Sequence, residues 1–208
     1  MPRSHASAVR SMIVQERTDL ANLLRELTTQ EWERESLCLG WRVRDVIAHL
    51  LYEATPPLTY GFEFLRARGS ADKLNDLYVR RAQSMTTAEL LRRFEATIGG
   101  GLAATTLPRV ALADLLVHHQ DIRRPLGRDR KVPEDRLRTV LRHPDPFLRT
   151  GLRTKGLRLT ATDVDWTQGH GPEVQGPGEA IILAGAGRRA ALDDLSGEGV
   201  QILRNRLG

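Results

Sequence analysis

The chain has a single cysteine, Cys38, among 208 residues, so no disulfide can form within it. Aromatic residues make up only 5%. No apolar run approaches the ~20 residues that a membrane-spanning helix requires. The N-terminal stretch MPRSHASAVRSMIVQER lacks the continuous apolar core and cleavage site of a signal peptide. Together these absences predict a cytoplasmic protein with no membrane partner. Lysine is scarce too: of 31 basic residues, only Lys73, Lys131 and Lys155 are lysines. The arginine excess gives a net charge of +5 and a pI near 10.0. The arginines are nevertheless scattered, with no basic run and no interleaved aromatics. A nucleic-acid binder gathers its charge on one face, so no nucleic-acid partner is expected. Enrichment in arginine, alanine, glycine and leucine is what GC-rich coding produces.

What remains is ordinary for a globular protein, with 40% hydrophobic and 27% charged residues. The length suits one domain with a small appendage. Val9, Met12, Ile13, Leu20, Leu23, Leu24 and Leu27 recur at helical spacing and predict a first helix over about residues 4–27. The polar stretch TTQEWERESLCLGW reads as a connection with one short helical turn. Val43, Val46, Ile47, Leu50, Leu51 and Ala54 mark a second helix, interrupted at Pro56 and Pro57 and resuming through Phe64. A third helical region covers about residues 72–84. Thr86 and Glu89 then have capping-box spacing ahead of Leu90, Leu91 and Phe94, and Gly99, Gly100 and Gly101 stop that helix. A fourth long helix runs from Pro108 to about Arg124, ended by Pro125 and Gly127.

Four helices with short connections predict a mainly α protein, an antiparallel four-helix bundle over residues 1–130. Residues 131–208 read as a small α+β domain. It has a helix near residues 133–143, a strand in which Leu157, Leu159 and Ala161 alternate with polar residues, and a Gly/Pro-rich turn GHGPEVQGPGE. An apolar helix over residues 179–186 and a closing helix complete it.

On the fourth helix Asp114, His118 and Asp121 fall on one flank of the apolar stripe, within a wedge of roughly 60° at ~100° per residue. Asp114 and His118 are four positions apart, so their side chains stack on one face and can chelate one cation. Zinc accepts such nitrogen and oxygen ligands, and a catalytic site uses three of them plus an open position. In the second helix His49 and Glu53 are likewise four apart. His49 is the natural third ligand and Glu53 the alternative, since ligands in a bundle converge from facing helices. Asp121 is a candidate acceptor for a ligating imidazole. An Asp-x-x-x-His pair can equally be a solvated surface hydrogen bond. His119 falls near the middle of the apolar stripe, and spacing alone leaves His118 and His119 both open. Cys38 reads as a small packing residue, with a reactive thiol near a helix N-terminus as the alternative. Trp41 and Trp166 read as core, with lining of a cleft as the alternative, and Arg123 and Arg124 as partners of the helix dipole.

The stretch CLGWRVRDVIAHL (residues 38–50) resembles the motif that opens the second helix of the mycothiol-dependent maleylpyruvate isomerase family. ADLLVHHQDIRRPLG (residues 113–127) resembles that family's fourth-helix motif. GLRLTATDVDW, GPGEAIILAGAGR and LDDLSGEGV resemble the small tail of its actinobacterial members. The resemblance covers nearly the whole chain and implies a DinB-like four-helix bundle holding a divalent metal. Carried over, the ligands are His49, Asp114 and His118. Asp114 stands where the characterised isomerase type has Glu, and its shorter arm implies a lower affinity or a shifted metal preference. Zinc is the expected ion and mycothiol the expected thiol cofactor. Arg188, in the A-G-R arrangement of the tail, is implied as a catalytic arginine that clamps a substrate carboxylate, with a solvated surface arginine as the alternative. The implied reaction adds a metal-stabilised thiolate to a small electrophilic substrate, with isomerase or S-transferase outcome. A non-catalytic metal- or ligand-binding stress protein of the same superfamily is the alternative.

Overall fold

The computed structural model describes residues 2–208, with side chains from residue 6 onward. The chain separates into two units, Met1–Asp129 and Arg130–Gly208.

The first unit is helical. In order it contains α1 (Pro2–Glu26), the single turn α2 (Thr29–Trp32), α3 (Val43–Leu50), α4 (Pro57–Arg66), α5 (Ala71–Arg81), α6 (Thr87–Glu95), α7 (Leu102–Thr106) and α8 (Pro108–Arg123). Four of these form the bundle. The long α1 and α8 pack together, and α3 and α6 close the ring by each touching a neighbour on both sides. The core between them includes Ile13, Leu20, Leu24, Ile47, Leu90, Phe94, Leu112, Leu116 and Ile122, each almost fully buried. Burial of one such side chain is worth about 1.5–3 kcal/mol, so this apolar seam holds the bundle. The third bundle position is taken by α6, and α5, which the periodicity placed in the same region, packs on the outside of α3.

Local chemistry explains the ends. Thr28 and Glu31 form a full capping box before α2, each side chain taking up the other's backbone N–H. The box expected at Thr86 is only half made. The Thr86 hydroxyl accepts from Glu89 N, while the Glu89 carboxylate turns forward to Arg93 one turn on. The second sequence helix stops as α-helix at Leu50 and tightens into a 3₁₀ turn, Leu51–Ala54, before the two prolines. After the three glycines the chain forms α7, a helix that the sequence pattern did not indicate.

The second unit contains α9 (Glu134–Arg142), α10 (Thr150–Arg153), β1 (Arg158–Ala161), β2 (Thr167–Gly169), β3 (Glu173–Gly176), α11 (Gly178–Gly185) and α12 (Gly199–Arg206). The sheet order is β2-β1-β3, with β2 antiparallel and β3 parallel to the central β1. Leu159 faces Val174 across the parallel pair, both buried. The stretch GHGPEVQGPGE is therefore not simply a turn, because its middle is β3. Apart from Glu179 in its first turn, helix α11 is apolar and packs against α9, β1 and β3 as the core of this unit. Among the described residues no helix is long and apolar enough to cross a membrane.

Candidate metal centre

The two sequence candidates on α8 and the one on α3 meet inside the bundle. Asp114 Oδ1 lies 3.3 Å from His118 Nε2 and 3.6 Å from His49 Nε2. All three residues are buried, and one ligand atom from each lies within 4.8 Å of the others. The 3.3 Å contact is stacked along one helix face by the four-residue spacing. His49 comes from the last turn of α3, which packs directly on α8. Its ring stands edge-on to that of His118, with centroids 4.8 Å apart.

Among the described residues neither ring nitrogen of His49 has a hydrogen-bond partner, although both are buried. Its 3.6 Å contact with Asp114 is too long for a hydrogen bond. Buried polar atoms are nearly always satisfied, and leaving one unpaired costs about 1–3 kcal/mol. A cation between the three side chains removes that cost. The two distances to Asp114 agree: with ligand bonds of ~2.0–2.2 Å, two ligands of a tetrahedral ion lie ~3.3–3.6 Å apart. The donor set of two imidazoles and a carboxylate thus fits a divalent metal.

The charges reinforce one another. Burial opposes ionisation of Asp114, but His118 and then His49 outweigh it and hold its carboxyl well below the ordinary range. Burial likewise works against a proton on His118, yet the Asp114 carboxylate and the hydrogen bond to Asp121 hold its proton affinity well above that of an ordinary histidine. The Tyr52 hydroxyl donates to Asp114 Oδ2 at 3.1 Å. Burial, followed by the nearby Asp114 charge, keeps this phenol protonated. Tyr52 holds one carboxylate oxygen and leaves Oδ1 facing both histidines.

Several neighbours have roles that spacing did not indicate. Trp41, read as core, is half-buried, and its ring lies 5.4 Å from that of His49 and 6.4 Å from that of His118. Cys38 is also half-buried rather than packed away. Its Sγ lies 3.0 Å from Asp121 Oδ2 and 3.6 Å from His118 Nδ1.

Glu53 does not join the three. Once α3 tightens to a 3₁₀ turn, the four-residue register with His49 is lost, and Glu53 turns to Arg17 at 2.7 Å and to the backbone N–H of Ala103 at 2.8 Å. His119 is fully buried and turned toward α1. Its Nδ1 lies 2.7 Å from Glu16, and its Nε2 accepts from Arg123 Nε at 2.8 Å. Both nitrogens are engaged, so His119 is a core histidine, and Arg123 reaches back to it rather than only meeting the helix dipole. In the second unit Arg188 follows α11, and its guanidinium donates to Ala186 O at 2.9 Å. Trp166 is half-buried there.

Residues 13–99 match the family model of the mycothiol maleylpyruvate isomerase N-terminal domain. The matched segment includes His49 and ends before α8. Two solved structures share the fold. A crystal structure of a histidine-to-alanine mutant of mycothiol-dependent maleylpyruvate isomerase superposes with a TM-score of 0.65 at 15% identity, covering 93% of this chain and 92% of that chain. A crystal structure of mycothiol-dependent maleylpyruvate isomerase superposes with a TM-score of 0.55 at 17% identity and the same coverage. No curated protein matches the chain in sequence.

Proposed function

We propose, from the premise that residues 13–99 belong to the mycothiol maleylpyruvate isomerase N-terminal domain family and that the chain has that isomerase's fold, that this protein is a metal-dependent enzyme using a low-molecular-weight thiol on a small electrophilic substrate. The observation that carries the metal assignment is His49, whose two buried ring nitrogens lack hydrogen-bond partners among the described residues, beside Asp114 and His118. The donor set suits zinc, and the family points to mycothiol as the thiol.

His49, Asp114 and His118 would hold the cation. Bound there, a divalent ion supplies the Lewis acidity that keeps a thiol ionised at neutral pH, the form in which sulfur is nucleophilic. The chain's own side chains do the rest. Asp114 offers one oxygen to both histidines while Tyr52 fixes the other. Trp41 and Tyr52 wall the His49 ring on two sides, with centroids 5.4 Å away in each case, and limit water around it. Arg188 is proposed, from the family resemblance alone, as a guanidinium that binds a carboxylate bidentately. The reaction is addition of the thiol to the electrophile, followed by expulsion of the thiol (isomerisation) or release of the adduct (S-transfer).

The test combines binding and turnover. Purified protein is incubated with zinc, mycothiol and a panel of unsaturated carbonyl compounds, and both loss of free thiol and cis–trans conversion of the substrate are followed. Metal- and thiol-dependent turnover, seen as substrate isomerisation or as thiol consumption, that Asp114→Ala removes is the expected result. Stoichiometric metal with no turnover of thiol or substrate would instead favour a non-catalytic metal-binding protein. Absence of both metal and thiol binding would overturn the proposal.

A further inference from the structure

Asp121 is fully buried on α8, three residues beyond His118. Its Oδ2 lies 2.9 Å from His118 Nδ1 and 3.0 Å from Cys38 Sγ. Its main-chain oxygen accepts from Leu37 N at 3.0 Å. One residue therefore grips both His118 and the 36–41 segment that carries Trp41 to the two histidine rings.

The lengths distinguish this group from the metal triad. Cys38, His118 and Asp121 also bring ligand-type atoms together. However, 2.9 and 3.0 Å are hydrogen-bond lengths, below the ~3.3–3.6 Å separation of ligands around a tetrahedral ion. An ionised carboxylate only accepts. A hydrogen bond to it places the His118 proton on Nδ1 and leaves the Nε2 lone pair facing Asp114 and His49. The imidazole of a metal-bound histidine is commonly held in this way by a carboxylate on its far nitrogen.

We infer that Asp121 is the positioning residue of this centre, fixing the tautomer and ring orientation of His118, and that Cys38 serves it by donating its thiol hydrogen to the same carboxylate oxygen. The inference rests on His49, Asp114 and His118 being the metal ligands. It gives the half-buried cysteine a role as a support of the centre rather than as a nucleophile or a ligand.

The experiment is a zinc titration against a chromophoric chelator on the full chain and on Asp121→Ala, Asp121→Asn and Cys38→Ala. It is paired with two-bond ¹⁵N–¹H spectra of the histidine side chains in the zinc-loaded proteins. Asp121→Ala is expected to weaken zinc binding by about 10–100-fold. Asp121→Asn, which keeps the shape and an accepting oxygen, should lose less, and Cys38→Ala least. His118 should show the Nδ1–H form in the wild type and a mixed or altered pattern in the Asp121 variants. If Asp121→Ala does not fold, the isosteric Asn variant decides. Variants with lowered thermal stability but unchanged zinc affinity and an unchanged His118 pattern would make Asp121 merely structural and overturn the inference. A wild type that binds no zinc would instead overturn the ligand assignment beneath it.

Discussion

Arg17 and Glu53 form an ion pair of 2.7 Å with both side chains almost wholly buried, at 3% and 4% exposure. Arg17 also donates to the carbonyls of Thr97 and Gly100, and Glu53 accepts from Ala103 N and Ala104 N at the start of α7. The pair thus ties α1 to the turn that carries Tyr52 and to the glycine loop. Burial is the largest influence on both partners, raising the proton affinity of Glu53 and lowering that of Arg17.

Removing one partner leaves the other charged and buried. Glu53→Ala is expected to destabilise the fold by about 3–5 kcal/mol, measured by urea unfolding. Glu89→Ala, which breaks only the exposed pair with Arg93, should cost under ~1 kcal/mol. Equal, small effects would mean that the buried pair is not a structural tie. Gly101 adds an independent check. Its φ is +126°, and a Cβ there would sit 2.5 Å from Glu53 Oε2, so Gly101→Ala should cost more than ~1 kcal/mol.

His118 and His119 are adjacent in sequence and opposite in role. His118→Ala should lose metal and keep the fold. His119→Ala should keep metal affinity within a few-fold while losing stability by about 3–5 kcal/mol, since it leaves Glu16 buried without its imidazole partner. Circular dichroism melting and zinc titration on both variants separate the roles. The reverse pattern would move the ligand to His119.

Metal uptake should release protons. The neighbouring charges keep a proton on His118 in the metal-free protein at neutral pH, and a bound cation must displace it. Affinity should therefore fall as the pH is lowered through the neutral range, and buffers of different ionisation enthalpy should report about one proton released near pH 7. Binding that is independent of pH would argue against His118 as a ligand.

Acid should loosen the α4–α5 contact through Glu63. Burial raises the Glu63 carboxyl, but bonds from Arg81 and Tyr78 outweigh this and hold it below its usual range. A lowered folded value means that the contribution is complete above the unfolded pKa, near 4.5, and is lost as the pH falls through the folded value. Glu63→Gln should cost about 1 kcal/mol at pH 7 and almost nothing at the acid end, read from paired melting curves. An effect that does not change with pH would exclude an electrostatic role.

Much of the bundle was legible because periodicity reports burial directly. The apolar stripes of α1 and α8 and the Asp114–His118 spacing are local properties of single helices. What could not be read depends on partners far along the chain. His119 is settled by Glu16 and Glu53 by Arg17, and neither partner has a local signature. The α3 register failed because a 3₁₀ turn replaces α-helix just where Glu53 stood four residues from His49. The β3 strand is short and flanked by glycine and proline, so its turn chemistry concealed a pairing that β1 imposes. Trp41 and Cys38 read as packing residues because their type is apolar, while the loop they occupy docks on Asp121.

The most direct measurement is elemental analysis of the untagged protein, purified without chelators and again after zinc incubation, beside His49→Ala, Asp114→Ala and His118→Ala. Near-stoichiometric metal in the wild type, lost in all three folded variants, is the expected result. Wild-type protein without metal even after incubation with zinc, or metal retained when these three residues are removed, would contradict the centre proposed here.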